Sequence, residues 1–507
     1  MNVVVIGAGV GGLATAVRLA AAGHRVTVFE RGEEIGGKLG RYDRRTRAGT
    51  FRFDTGPSLL TLPQVVTDLL GDDLDLVELD PIVRHRFADG TVLDSCASAE
   101  GNASHDGPAS PERFASPERF VERIGAAFGD RAAAEWRRLW QRAERVWEAS
   151  WDHVLTTPAK STIALSTLAW RLGDLRAIGP GQTLRGVSRR YLSDPRLRIL
   201  LERYATYAGA DPRRAPAALL AIPYAEMRYG GWYLRGGLRT LADALLVRCD
   251  ELRVRVHTGA SVREIETGGR RVHGVRLAGG TEVTADVVVA NADALEVYRD
   301  LLPDKRRAMR LRERSLAGFV MLLGVRGRTP RLAHHTVLFP RDYDAEFDDV
   351  FGHPQRGIVA RPARDPTVFL TVADDPLVRP DGHEAWFVLV NAPPQGDNAA
   401  AVDWTADGLA DRYANRILDI LAARGVEVRD RILFRELRTP VDLQVATASP
   451  GGAIYGTPAH GLTGLRRPGN KGSVRGLFLV GGSVHPGGGI PMVMLSAKIV
   501  AAQISSI

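Results

Sequence analysis

The chain has 507 residues, 45% apolar and 25% charged, a composition ordinary for a soluble globular protein and long enough for two or more cores. Lys+Arg of 67 against Asp+Glu of 59 gives +8, an arginine-dominated surplus that suits an anionic surface or reflects nothing more than arginine-rich coding. The two cysteines, Cys96 and Cys249, fit neither a metal-ligand spacing nor a disulfide framework, so zinc modules and disulfide scaffolds are excluded and a reducing cytoplasm is expected.

Met1 leads straight into an apolar run at residues 3–6, with no basic n-region and no small-residue cleavage site, so no signal peptide is expected. No stretch of about 18 apolar residues occurs, which leaves only peripheral contact with a membrane. The run 3–6 reads as a buried strand, followed by Gly7-Ala8-Gly9-Val10-Gly11-Gly12, a helix over 13–22, Gly23, and a second strand over 25–29 ending in Glu30. This order is a βαβ unit carrying G-x-G-x-x-G. Gly7 permits the tight turn, Gly9 lets backbone approach a pyrophosphate, and Gly12 allows close helix–strand packing. Phosphates then sit at the positive end of the helix, and Glu30 is placed to accept from a ribose hydroxyl.

Gly36 and Gly37 follow, bringing main chain toward the far side of such a nucleotide, which favours FAD over NAD. Residues 51–54 read as extended. The polar stretch 95–110 and the tandem copies of ASPERF at 109–114 and 115–120 read as a mobile surface insertion. Helical pattern dominates 118–220, and strands are expected at 252–256, 262–265, 272–277 and 283–289, the last wholly apolar and suited to an interior parallel position. A mixed region spans 293–440. A strand at 476–480, the glycine-rich loop 481–489 and a helix over 492–504 close the chain. Its amides offer a second anion-binding loop.

These motifs resemble the bacterial carotenoid (phytoene) desaturase family, which has an FAD-dependent, amine-oxidase-like fold. The marks are VVVIGAGVGGLATAVRLAAAGHRVTVFERGEEIGGKLG at the N-terminus, FRFDTGPS, GGWYLRGG at 230–237 and GLFLVGGSVHPGGGIPMVMLSAKIVAAQ at the C-terminus. The resemblance implies an α/β protein whose Rossmann-type FAD-binding domain is assembled from residues 1–75, 226–292 and 441–507. A mixed α+β substrate and membrane-facing domain is inserted as 76–225 and 293–440. It also implies that Gly7, Gly9, Gly12, Glu30, Gly37 and Lys38 hold FAD, with Val262 on the adenine side. Gly481, Gly482, Ser483, Pro491 and Met492 would close over the flavin.

By the same resemblance the reaction is desaturation of a carotenoid or other long isoprenoid, by hydride transfer to flavin and loss of a neighbouring proton. Oxygen or a quinone would reoxidise the flavin, and neither a metal nor nucleic acid is expected. A late-pathway 3,4-desaturase, a carotenoid ketolase, an amine oxidase-like flavoenzyme and a non-enzymatic polyene carrier are the alternatives. Of these, the tail around 481–489 and residues 453–457 look closer to late-pathway enzymes. His485 and Asp54 are the polar candidates for a direct part in the chemistry, and Trp232-Tyr233 for the cavity wall.

A polyene must arrive from lipid, so a docking surface on the cytoplasmic face of the cell membrane is expected. Four of the eight tryptophans, Trp136, Trp140, Trp147 and Trp151, share one helical face, with Arg137, Arg138 and Arg142 beside it. That stripe either meets lipid or packs into the substrate domain.

Overall fold

The computed structural model describes residues 1–96, 118–159, 172–461, 464 and 467–506. Most of the insertion at 95–110 and the first ASPERF copy lie outside these residues.

Valine-rich Asn2–Ile6 forms the centre of a five-stranded parallel sheet because its residues 3–6 are all buried. It pairs with Arg25–Phe29 on one side (Val3 opposite Val26) and with Val287–Ala290 on the other (Val3 opposite Val287). Leu477–Leu479 adds beyond Val287–Ala290, and Arg255–His257 beyond Arg25–Phe29. The expected strand over 283–289 is two elements: Glu282–Thr284 finishes a three-stranded antiparallel sheet, and Val287–Ala290 enters the parallel one. The break falls at Ala285-Asp286, where the Asp286 carboxylate accepts the Asn2 N–H at 2.8 Å. Helix Val10–Ala21 lies against Ile490–Ser505 and Thr240–Glu251, so chain start, middle and end share one core. The α/β fold with inserted elements holds as expected.

A second, seven-stranded sheet runs in the order 432–438, 317–326, 383–392, 368–372, 335–338, 83–86, 92–95. Among the described residues, only the pairing of Val83–Arg86 with His335–Leu338 in this sheet is parallel. Phe319, Met321, Leu323, Trp386 and Val388 on one face meet Tyr413, Ala414, Ile417, Leu418 and Leu421, a three-and-four-spaced stripe on helix Leu409–Ala423.

The tryptophan stripe is core, which corrects the membrane-docking expectation for this helix. On Asp130–Ser150, Trp136, Trp140 and Trp147 are 1%, 7% and 6% exposed. Trp136 meets Phe120 edge-on at 5.4 Å, Trp140 lies 4.9 Å from Tyr224, and Trp147 donates from Nε1 to Tyr229 Oη at 3.3 Å. Arg142 is buried too, donating to Ala177 O and Gln182 Oε1, both at 2.9 Å. Periodicity marks an apolar face; only the tertiary partner says what covers it. Trp136→Ala is therefore expected to lose about 3–5 kcal/mol of stability in urea unfolding. A loss under about 1 kcal/mol would return the face to solvent or lipid. Among the described residues no helix is long and apolar enough to cross a membrane.

Candidate functional site

Gly7 sits at φ +95°, a conformation open to glycine, and donates its N–H to Phe29 O at 2.8 Å. Gly9 is the N-cap of Val10–Ala21, and among the described residues no side chain caps that helix end. Its first-turn amides face the crevice at the carboxyl ends of the parallel strands. A Cβ on Gly12 would sit 2.1 Å from Gly7 O, so strand and helix touch through backbone. Gly36 donates to Ala8 O at 2.8 Å, and a Cβ on Gly37 would lie 3.3 Å from Gly9 Cα. The second glycine pair thus lies on the first turn itself.

Glu30, at the end of the second strand, accepts the Ala8 N–H at 2.7 Å and the Gly32 N–H at 2.9 Å. The carboxylate is fixed at the lip of the turn. Ala260 N–H donates to Glu30 O and Gly259 N–H to Gly32 O, both at 2.8 Å, which brings the approach to Val262 alongside Glu30. Val262 itself is buried at the start of Val262–Gly268.

Lys38 reaches away from the turn. Its ammonium donates to Ile454 O at 2.6 Å, Ala453 O at 3.0 Å and Ser449 Oγ at 3.3 Å. Burial, only partly opposed by nearby Asp293, draws its pKa down to about 8, and Arg314 and Arg467 push the same way. Asp293 pairs with Arg314 at 2.7 Å; burial works against its charge, and Arg314 and Lys38 hold the carboxyl below its usual range. Three buried cations against one carboxylate leave this wall electropositive.

The C-terminal loop closes the crevice. Gly481 is at φ +117° and its N–H donates to Ser496 Oγ at 3.3 Å. Gly482 O accepts from Arg467 at 3.1 Å, and Ser483 Oγ accepts the Ala294 N–H at 3.0 Å. Pro491 and Met492 occupy the first turn of Ile490–Ser505, a second helix start with no side-chain cap among the described residues.

Asn291 joins these loops and was not among the expected site residues. It follows the all-apolar strand Val287–Ala290, donates from Nδ2 to Val480 O at 3.0 Å, and its side chain lies where Cβ atoms on Gly9, Gly11 and Gly481 would fall, at 2.8, 2.8 and 2.6 Å. The available signal was its position: the first polar residue at the carboxyl end of an interior parallel strand.

The two polar candidates are held by backbone. His485 Nε2 lies 2.8 Å from Thr157 O, and burial lowers its pKa below the usual imidazole value. Asp54 accepts the Leu238 N–H at 2.7 Å and the Arg239 N–H at 3.0 Å, anchoring the turn before Thr240–Glu251. It also lines a small cavity with Ser58, Tyr233 and Thr371, where Tyr233 Oη donates to Asp375 at 3.0 Å. Trp232 is tied separately, through Nε1 to Tyr229 O at 2.8 Å. Among the described residues no His/Cys/Asp/Glu group is arranged to hold a metal.

Burial outweighs the two amide bonds and pushes the Asp54 carboxyl up to about 6. Because the unfolded value is about 3.9, the fold keeps the proton longer, and stability falls as pH rises from roughly 4 to 6. Asp54→Asn cannot ionise. The wild-type unfolding free energy minus the variant's should therefore drop by on the order of 2 kcal/mol between about pH 4 and pH 7. A difference constant with pH would mean that the carboxylate is solvated.

The profile of the flavin containing amine oxidoreductases matches residues 10–329. A hydroxyneurosporene desaturase of Cereibacter sphaeroides is 33% identical, covering 99% of this chain and 97% of its own. A 4,4'-diapolycopene oxygenase of a Methylomonas species is 32% identical over 99% and 98%, and a 1-hydroxycarotenoid 3,4-desaturase of a Flavobacterium 30% over 98% and 98%. In fold, an oxidoreductase of Methanosarcina mazei superposes with a TM-score of 0.62 at 16% identity, covering 99% of this chain and 100% of its own. Putrescine oxidase with bound putrescine gives 0.60 at 15%, over 100% of both chains. The chain belongs to the flavin containing amine oxidoreductase family, among its bacterial carotenoid desaturases and oxygenases, as an FAD-dependent oxidoreductase.

Proposed function

We propose that the protein desaturates a late, partly oxidised carotenoid near one end, as a 3,4-desaturase-like enzyme, and does not start from phytoene. The observation that carries this reading is the full-length likeness, at 30% and 33%, to a 1-hydroxycarotenoid 3,4-desaturase and a hydroxyneurosporene desaturase. When bound, FAD would supply the acceptor for a hydride, with oxygen or a quinone as the terminal oxidant. The carbon left behind is a cation delocalised into the polyene, and the adjacent C–H then loses its proton to water as the new double bond forms. No strong base is required, which agrees with His485 and Asp54 being engaged by backbone.

The residues present fit FAD. Gly7, Gly9 and Gly12 leave backbone open to a pyrophosphate at the start of Val10–Ala21, where a side chain would collide. Glu30, already aligned by two amides, would take ribose hydroxyls, and the segment leading to Val262 would flank the adenine. Gly37 supports the turn, and Lys38 positions it by tethering it to residues 449–454. Gly481, Gly482 and Ser483, with Pro491 and Met492, would border the ring system. These segments fall in residues 1–75, 226–292 and 441–507, which we take as the FAD-binding domain; 76–225 and 293–440 hold the substrate.

The polyene is insoluble, so we place the enzyme at the inner surface of the cell membrane, docking through a face other than the tryptophan stripe. Flotation with anionic liposomes tests this, and protein that stays at the bottom at low salt refutes it. For the reaction, co-expression in hosts making hydroxylated and unhydroxylated carotenoids, with pigment masses, is decisive. Loss of a hydrogen pair supports desaturation. Gain of oxygen moves the assignment to an end-group oxygenase, the second reading, favoured by the 4,4'-diapolycopene oxygenase likeness.

A further inference from the structure

The helical region over residues 203–226, where the inserted segment returns to the FAD-binding domain, buries an ion pair that its own hydrogen bonds leave incomplete. Arg203, 4% exposed, opens the short turn Arg203–Ala208, and Glu226, 1% exposed, lies on helix Ala221–Tyr229. Arg203 Nη1 donates to Tyr207 Oη at 2.9 Å, and Tyr204 Oη donates to Glu226 Oε1 at 2.7 Å. The other guanidinium edge, Nε and Nη2, has no hydrogen-bond partner among the described residues, and neither has Glu226 Oε2. Nη2 stops 3.8 Å from Glu226 Oε1, so the pair is not closed. Each unmet buried group of this kind is destabilising, more so when charged.

The turn that Arg203 opens also packs toward the C-terminal glycine loop. Gly209, which follows the Arg203–Ala208 turn, packs so tightly on Tyr455 that a Cβ there would lie 2.9 Å from its ring. The opposite side of the same ring meets Gly488, where a Cβ would lie 2.3 Å away. Through Gly209 and the Tyr455 ring, the turn that Arg203 opens is in contact with the loop assigned to the flavin.

We infer that Arg203 and Glu226 form a socket for a neutral hydroxyl at the end of the polyene, and so select hydroxylated carotenoids. The chemistry of the vacant groups sets this choice. A hydroxyl accepts from the guanidinium edge and donates to Glu226 Oε2, satisfying both. An ether or carbonyl oxygen only accepts, leaving the carboxylate oxygen bare, and a hydrocarbon end satisfies neither. A carboxylate is disfavoured because the pair is already neutral. The inference rests on the desaturase reading above and names the substrate class within it.

The test uses the FAD-loaded full chain with two substrates, a hydroxylated acyclic carotenoid and the hydrocarbon lacking only that hydroxyl. Wild type is expected to favour the hydroxylated substrate by at least about tenfold in kcat/KM. Glu226→Gln, near-isosteric, and Arg203→Met are each expected to bring the ratio below about threefold by losing hydroxylated turnover alone. A variant that is merely less well folded slows both substrates alike and keeps the ratio; that result, with flavin content unchanged, overturns the socket. Equal use of both substrates by wild type, as ordered water in the gap predicts, overturns the socket and leaves the desaturase reading standing. No product from either substrate overturns both.

Discussion

Gly12→Ala is expected to yield no flavin-loaded protein, whereas Gly9→Ala is expected to fold and purify without its flavin. The two glycines differ in what an added methyl meets. At Gly12 it would lie 2.1 Å from Gly7 O and 3.2 Å from Asn291 Cβ, backbone and Cβ atoms that no rotamer change moves. The turn must open and the helix must leave the strand, at about 3 kcal/mol or more. At Gly9 the nearest atom is Asn291 Oδ1 at 2.8 Å, the tip of a side chain that can rotate. Its rotation breaks one hydrogen bond, Asn291 Nδ2 to Val480 O at 3.0 Å, a loss of about 1 kcal/mol. The methyl then occupies the path of the pyrophosphate. Flavin-to-protein ratio and thermal melting of the two variants separate these effects. Full flavin occupancy in Gly9→Ala would falsify the placement of the pyrophosphate, and a wild-type melt for Gly12→Ala would contradict the close packing.

The glycine turn was legible because every requirement on it is local. A valine run, glycines at set offsets, a helical stripe and an acid at the next strand end lie within residues 3–30, and each is dictated by near neighbours. The dinucleotide unit and its closing partner near the C-terminus could therefore be read directly. What could not be read depends on distant chain. The fate of the tryptophan stripe turns on Tyr224 and Tyr229, some eighty residues later, since lipid and protein ask for the same periodicity.

His485 sits in the expected glycine-rich loop and Asp54 at the end of the expected extended segment, but the groups that occupy them, Thr157 O and the Leu238 and Arg239 amides, come from other segments. Asn291 stood at a readable position without a motif to announce it. Arg203 and Glu226 carry no signature in a helical region, and only packing brings them within 3.8 Å. The catalytic half of such a flavoenzyme is a property of tertiary arrangement; the cofactor half is written in short motifs.

Gly488→Val is expected to abolish turnover, by about a hundredfold or more, while the chain still folds and melts only modestly lower. A Cβ at residue 488 would lie 2.3 Å from Tyr455 Cδ1 and 3.1 Å from Cε1, so the ring must move before valine fits. It has little room to do so. Its Cδ2 edge is closed by Gly209, and its backbone is pinned by Ser315 Oγ at 3.1 Å and by Arg467, which donates to Tyr455 O at 2.6 Å. The displacement therefore passes to the glycine loop on one side, assigned to the flavin, and to the turn carrying Arg203 on the other, assigned to the hydroxyl end of the substrate. Overpacking of this sort costs about 1–3 kcal/mol, small against the whole fold but large against the geometry of hydride transfer. Tyr455→Ala in the same chain removes the obstacle. The double variant should be more stable than Gly488→Val alone, a non-additivity that a double-mutant cycle in urea measures directly. Activity should return only in part, because the aromatic wall is gone. Turnover within about threefold of wild type in Gly488→Val would place residues 481–489 away from the reacting carbons. Strict additivity in the cycle would show that Tyr455 and Gly488 do not share the space the structure gives them.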